Sequence, residues 1–203
     1  MKFVKILILT ALSSLTMQSF AQTPFQSLCN LFASSPVSIA CDYETEINGT
    51  KITGQTDLFV QGDMYTMRGN GLEVYCNGTT LWTVDESSSE VVIEPCSSDD
   101  RDYLSNPVLL LTDVDKLFEQ KSRQQSGTGI EEYVLEATVQ CGVSLAELTL
   151  KSDGTVVDAQ FVLEDGNTIS VKVQSMKKAE EKPSSFFSLQ RKLSSDWIVT
   201  DLR

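Results

Sequence analysis

Short segments in which apolar and polar residues alternate, separated by turn residues, recur along most of this chain and constrain its fold more than any other feature. Leu72, Val74 and Cys76 show the pattern, since a period of two places them on one face of a strand. The pairs Asn48-Gly49 and Asn77-Gly78 are strong signals for hairpin turns. The sequence therefore predicts antiparallel strands joined by tight turns.

About ten strand candidates follow one another at the spacing of 8–12 residues that is typical of all-β barrels and sandwiches. They begin near residues 37, 51, 64, 72, 81, 91, 133, 145, 156 and 168, and Phe186-Phe187 and residues 197–202 are further candidates. Apolar residues at helical spacing predict helices over residues 24–33 and 113–121, and residues 122–129 read as a polar linker.

The two helical segments carry apolar faces that must be buried against a sheet. We therefore predict a fold that is mainly β with helices, in the α+β class. The expected architecture is a half-open, strongly curved antiparallel β-barrel with a helical lid or plug that encloses an apolar cavity.

The first 21 residues have the layout of a cleavable signal peptide. Lys2 and Lys5 precede an apolar run from Ile6 to Leu15, and the small residues Ser19 and Ala21 lie at the positions required for cleavage after Ala21. We expect export, and a single domain formed by residues 22–203.

Acidic residues outnumber basic residues by 28 to 16, and the net charge is −12. Nucleic-acid binding depends on neutralising phosphates with Lys and Arg, so this composition argues against a nucleic-acid partner. It also disfavours adhesion to anionic lipid surfaces.

The chain contains no histidine, which excludes catalytic triads built on that residue. No phosphate loop or dinucleotide fingerprint is present, and the five cysteines lack the spacing of a zinc site. The sequence therefore predicts no catalytic residue, no metal and no cofactor.

Some cysteines should pair in an oxidising compartment, and Cys76 and Cys96 could approach each other at one end of a sheet. The connectivity stays open at this point.

An unusual number of aromatic, methionine and leucine side chains lie on the first group of strands and in the middle of the chain. These side chains could be an ordinary core, or they could line an apolar ligand cavity, because Met and large aromatics adapt to acyl chains of varied shape. The candidate cavity residues are Phe59, Met64, Tyr65, Met67, Leu72, Val74, Trp82, Leu109, Leu110 and Leu111.

Several segments, taken in order, resemble the LolA-type outer-membrane lipoprotein carrier family. The resemblance spans nearly all of residues 25–203. It rests on Gly54–Val60, Gly62–Tyr65, Asn77–Trp82, Asn106–Leu111, Leu148–Leu150 with Asp153-Gly154 and Phe161, and Val199–Arg203.

This resemblance implies a half-open barrel with a helical lid, in a periplasmic monomer that shuttles acylated lipoproteins. An inner-membrane lipoprotein-releasing transporter would supply the cargo, and an outer-membrane receptor could accept it. By position, Tyr65, Met67, Val74 and Leu109–Leu111 fall where the family lines its cavity or mouth. The family's arginine before a proline at the first strand turn is replaced here by Gln61-Gly62, so the resemblance does not extend to the lid latch that this arginine supports.

Two alternatives stay open. The same fold could serve a lipid- or lipoprotein-sensing module that signals through a partner. A secreted hydrolase with carboxylate chemistry would instead require paired Asp or Glu side chains with raised pKa in a cavity.

Overall fold

The chain forms one curved, open sheet of twelve strands in a computed structural model that describes residues 22–47, 50–96 and 108–203. The strands are β1 (Val37–Ile47), β2 (Thr50–Gln61), β3 (Met64–Gly69), β4 (Leu72–Cys76), β5 (Thr80–Asp85), β6 (Glu90–Pro95), β7 (Phe118–Gln125), β8 (Ile130–Ala137), β9 (Val143–Lys151), β10 (Val156–Leu163), β11 (Thr168–Lys178) and β12 (Ile198–Asp201). The helices are α1 (Pro24–Ser34), α2 (Val108–Thr112), α3 (Val114–Leu117) and a 3₁₀ helix at Ser184–Phe187.

Two meanders meet in the middle of this sheet. The strand order is β12-β6-β5-β4-β3-β2-β1-β11-β10-β9-β8-β7. β1 pairs with β11 from Val37 opposite Lys178 to Glu46 opposite Thr168. Neighbours are antiparallel except that β12 is parallel to β6. The sheet has two edges, β7 and β12, so the predicted α+β class with a curved open sheet is confirmed.

Helix α1 packs on one face of the sheet, which we call the helical face. The Thr23 hydroxyl accepts a hydrogen bond from the Gln26 backbone N–H, and the Gln26 side chain accepts one from the Thr23 N–H. This capping box fixes the start of the helix. Leu28 and Phe32 are buried against the strands. Gly154 (φ +88°) permits this approach, because a Cβ there would lie 2.7 Å from the Leu28 nitrogen.

The segment that follows β11 packs on the other side of the sheet, which we call the opposite face. The Gln61 side chain donates to the Lys182 carbonyl (3.1 Å) and accepts from the Lys182 N–H (2.8 Å). The Phe187 ring then packs on Phe59. A second apolar cluster holds the rest of the segment against β4, β5 and β6, and it contains Tyr75, Trp82, Val84, Val91, Ile93, Leu189, Leu193 and Trp197.

The predicted helix over residues 113–121 and the linker over 122–129 are partly wrong. Helix α3 ends at Leu117, and β7 begins at Phe118 and pairs with β8 along its length. β7 is an edge strand whose side chains are exposed apart from Phe118, so it has no alternating pattern that sequence could reveal. Phe186-Phe187 lies in the 3₁₀ helix rather than in a strand. The predicted signal peptide and the turn at Asn48-Gly49 lie outside the described residues.

Replacing Phe187 with Ala should destabilise the fold strongly, because this ring is 0% exposed. We expect a loss of about 3–5 kcal/mol in the free energy of unfolding, measured by denaturant titration. Phe186→Ala is the matched control, since its ring contacts the same Phe59 but is 36% exposed. It should cost about 1 kcal/mol. Equal losses for the two variants would contradict the assigned packing.

Candidate apolar ligand site

Three of the predicted cavity residues lie together on the helical face. Met67 on β3 is directly opposite Val74 on β4, and Tyr65 lies two residues before Met67 on the same face. Tyr65 and Val74 are buried, whereas Met67 is half-buried at the border of the core. Alternation along β3 and β4 therefore produces this group.

Helix α2 brings two further predicted residues to the same core. Leu110 and Leu111 are half-buried and pack against it, and α2 contacts both α1 and α3. Leu109 belongs to α2, but its side chain lies outside the described part of the structure. The helix is five residues long, well below the length at which a helix is stable without tertiary packing.

A band of incompletely covered apolar side chains crosses the middle of the helical face, and we call it the apolar strip. It consists of Leu58 (β2), Met67 (β3), Phe161 (β10) and Val171, Val173 and Met176 (β11), all half-buried and packed against the core. Strand register makes the strip continuous, because Leu58 pairs with Met67 and both Leu58 and Met176 flank Ile39.

Sequence reasoning missed most of the strip as site residues. The alternation of Val171 and Val173 in β11 was visible, but only the pairing of β11 with β1 places them near Leu58. The two strands are far apart in sequence, and no local pattern reports that neighbourhood.

The other predicted cavity residues do not join this group. Phe59 and Trp82 lie on the opposite face, where Phe59 packs on Phe187 and Trp82 belongs to the second apolar cluster. Met64 also points to that face, as the cross-strand partner of Gln61. Leu72 alternates with Val74 and shares its face, but it is exposed at the start of β4.

Gly54 in β2, the first residue of the Gly54–Val60 segment that contributes to the family resemblance, gives room to an aromatic side chain. A Cβ at Gly54 would lie 2.6 Å from the Tyr43 hydroxyl. The Tyr43 ring thus lies over the glycine, and its hydroxyl accepts a hydrogen bond from the Asn70 side-chain amide (3.0 Å). Such an aromatic cover compensates for the missing side chain within a strand.

Three ionisable groups in or against the core of the helical face are held in their neutral forms. Burial raises the pKa of Tyr65 and of Cys41. Burial and the neighbouring Asp115 raise the pKa of Cys29 to about 11. These three groups therefore carry no charge near neutral pH.

The hydrolase alternative finds no support in the carboxylates that the structure describes. Wherever such a carboxylate has a shifted pKa, the shift is downward and hydrogen bonds cause it, as at Asp85 with Ser87 and at Glu131 with Arg123. A general acid at neutral pH requires an upward shift. Within the same residues, no helix has the length and hydropathy needed to cross a bilayer.

Two open depressions lie along the middle strands of the sheet. Their volumes are about 720 and 380 Å³. Asp42 lines both of them and accepts hydrogen bonds from the side chains of Gln55 (2.9 Å) and Gln174 (2.6 Å). The lining of the larger depression mixes polar residues with Tyr43, Ala159 and Val171. Because Val171 belongs to the apolar strip, this depression includes part of the candidate ligand site.

No family model matches the sequence, and a comparison with curated proteins finds no match. Solved structures do match. An uncharacterized conserved protein from Thermus thermophilus is 14% identical over 88% of this chain and 96% of its own, with a TM-score of 0.54.

Two further structures have the names that the sequence resemblance suggests. A LolA superfamily protein from Nitrosomonas europaea is 12% identical, with a TM-score of 0.46 over 83% of this chain and 97% of its own. A domain described as a putative outer membrane lipoprotein-sorting protein from Vibrio parahaemolyticus is 11% identical, with a TM-score of 0.39 over 75% and 89%. The TM-score above 0.5 with the Thermus thermophilus structure indicates a shared fold, and at 14% identity the likeness concerns the fold alone.

Proposed function

We propose that this protein is an exported carrier that binds the acyl chains of lipoproteins along the apolar strip. The observation that carries the proposal is the incomplete cover over Leu58, Met67 and Val171, in the same core against which a short apolar helix packs. Exposing such side chains to water is unfavourable, and an acyl chain is a partner that covers them without any demand for hydrogen bonds.

The energy available from such contacts is sufficient. Each buried methylene contributes about 0.8 kcal/mol, so an acyl chain of about 16 carbons could gain on the order of 10 kcal/mol before the entropic costs of binding. The methionines in the strip, Met67 and Met176, adapt their shape to different chains more easily than branched residues do.

In this proposal helix α2 acts as the lid. Leu110 and Leu111 pack against the same core as the strip residues, so an acyl chain that enters this core replaces their contacts with its own. A five-residue helix has little stability of its own, and moving it breaks few backbone hydrogen bonds. The lid cannot use the arginine latch of the family, because Gln61 anchors Lys182 of the C-terminal segment instead.

The remaining parts of the proposal concern location and partners. Residues 1–21 act as the signal peptide and direct the chain to the periplasm. An inner-membrane lipoprotein-releasing transporter loads the carrier, and an outer-membrane receptor unloads it. The protein works as a monomer without cofactor or enzymatic activity.

Native purification of the exported protein followed by mass spectrometry of its bound molecules tests the ligand class. We expect acylated lipoproteins or their lipopeptides, because the strip offers a long apolar surface and no hydrogen-bonding group for a polar ligand. Free phospholipid alone would favour a general lipid binder. An empty protein that also fails to bind a triacylated peptide would mean that the strip is part of an ordinary core and is not a ligand site.

Replacing Leu110 with Glu should weaken binding of a fluorescent triacylated peptide by roughly ten- to a hundredfold, because an unpaired carboxylate in an apolar site is costly. Leu202→Glu is the matched control, since Leu202 is 58% exposed beyond β12. It should leave affinity unchanged. Unchanged affinity in Leu110→Glu, with the fold intact by circular dichroism, would remove α2 from the site.

A release assay separates a carrier from a sensor. Purified protein added to spheroplasts should release newly made lipoproteins into the soluble fraction, in amounts that rise in proportion to the protein added. A sensor binds its cue without clearing it from the membrane. Binding of triacylated peptide without any such release would favour the sensing module.

A further inference from the structure

Two cysteines that are distant in sequence meet on the helical face. Cys76 is the last residue of β4 and Cys96 directly follows β6. Their Sγ atoms lie 3.1 Å apart. That separation is about 1 Å longer than a disulfide bond, so a small side-chain movement would join them.

The backbone holds the two cysteines in place without help from the sulfur atoms. Cys76 pairs with Leu81 across β4 and β5. The Cys96 N–H donates to the Thr79 carbonyl (2.9 Å). The Asn77 side chain accepts hydrogen bonds from the N–H groups of Thr79 (3.1 Å) and Thr80 (2.9 Å), which fixes the turn between β4 and β5. Once this hairpin and β6 have formed, the two side chains are already neighbours.

We propose that Cys76 and Cys96 form a disulfide bond in the exported protein. The inference rests on export to an oxidising compartment, which is part of the proposed function. The oxidant is the disulfide of a thiol–disulfide oxidoreductase. One cysteine thiolate attacks that disulfide, and the second thiolate then displaces the oxidoreductase sulfur. The protein gains one disulfide, the oxidoreductase gains two thiols, and two electrons pass from the protein to the oxidoreductase.

Burial sets the time at which this exchange can occur. Cys76 is 0% exposed and Cys96 is 5% exposed, so an oxidoreductase cannot reach either sulfur in the folded protein. Hydrogen bonding to Cys96 and burial also raise the pKa of the Cys76 thiol, which suppresses the reactive thiolate. Exchange therefore takes place while the chain folds, and the finished bond is shielded from reductants.

The other cysteines lie on different elements. Cys29 is in α1, Cys41 is in β1, and the Cys141 thiol donates to the Val143 carbonyl (3.3 Å). The proposed bond would lie under the candidate ligand site, because Tyr65 is the cross-strand partner of Cys76. It would tie the end of β4 to the end of β6 at that position.

Counting alkylated cysteines in the exported protein tests the proposal. The full chain is expressed with its own first 21 residues in a Gram-negative host, and the periplasmic fraction is denatured in an alkylating reagent without reductant. We expect three of the five cysteines to be alkylated, with Cys76 and Cys96 recovered as one linked peptide. Five alkylated cysteines, or a bond through Cys29, Cys41 or Cys141, would overturn the proposal.

If no chain reaches the periplasm, the proposed export fails, and refolding the same chain in a glutathione redox buffer decides the disulfide by the same count. Lipid binding does not enter this readout, so failure of the carrier proposal and failure of the disulfide remain distinguishable.

Stability measurements provide the second arm of the test. Reduction under denaturing conditions, followed by refolding in reductant, should lower Tm by roughly 6–12 °C. Cys76→Ala/Cys96→Ala should lose this response, whereas the control Cys41→Ala should keep it. Reductant added to the native protein should act slowly, because both sulfurs are buried. An unchanged Tm in the wild-type protein after reduction would contradict the proposal.

Discussion

The pairing of β1 with β11 is the interaction on which the rest of this structure depends. It runs from Val37 opposite Lys178 to Glu46 opposite Thr168, and it joins a meander formed by the first half of the chain to one formed by the second. Without it, each meander would present another exposed edge and a separate, incompletely covered apolar face. With it, the chain has a single curved sheet, and its helical face gathers residues from both halves into one core.

The sheet is covered on different faces in its two halves. Helix α1 packs on the helical face and contacts β9, whereas the C-terminal segment packs on the opposite face of β2 to β6. The strands β2, β1 and β11 occupy the middle of the sheet. Their opposite face carries polar side chains such as Asp42, Gln55 and Gln174, which water can solvate. Their helical face carries most of the apolar strip, where contact with water is unfavourable.

This difference between the two faces is the physical basis of the proposed function. A polar surface is stable when it is wet, whereas a half-buried apolar band gains free energy from any apolar molecule that covers it. Helix α2 packs against the same core as the band, and it is too short to be rigid without that packing. A core in which one element is held weakly can exchange the contacts of that element for those of a ligand. Within this core, burial keeps Tyr65 and Cys41 neutral.

The sequence by itself determined the mainly β class, helix α1 and most strands, because alternation at period two and spacing at three and four residues are local consequences of burying one face. It also placed Tyr65, Met67 and Val74 on a shared face, since β3 and β4 are joined by a tight turn. Only the tertiary structure decided on which face of the sheet each group of apolar side chains is buried. Phe59 and Trp82 have the same chemistry as Tyr65, but the C-terminal segment covers their side of the sheet. The approach of Cys76 to Cys96, which the sequence suggested, is confirmed. The edge strand β7 and the closeness of β11 to β2 were decided by contacts between distant parts of the chain, which no local period records.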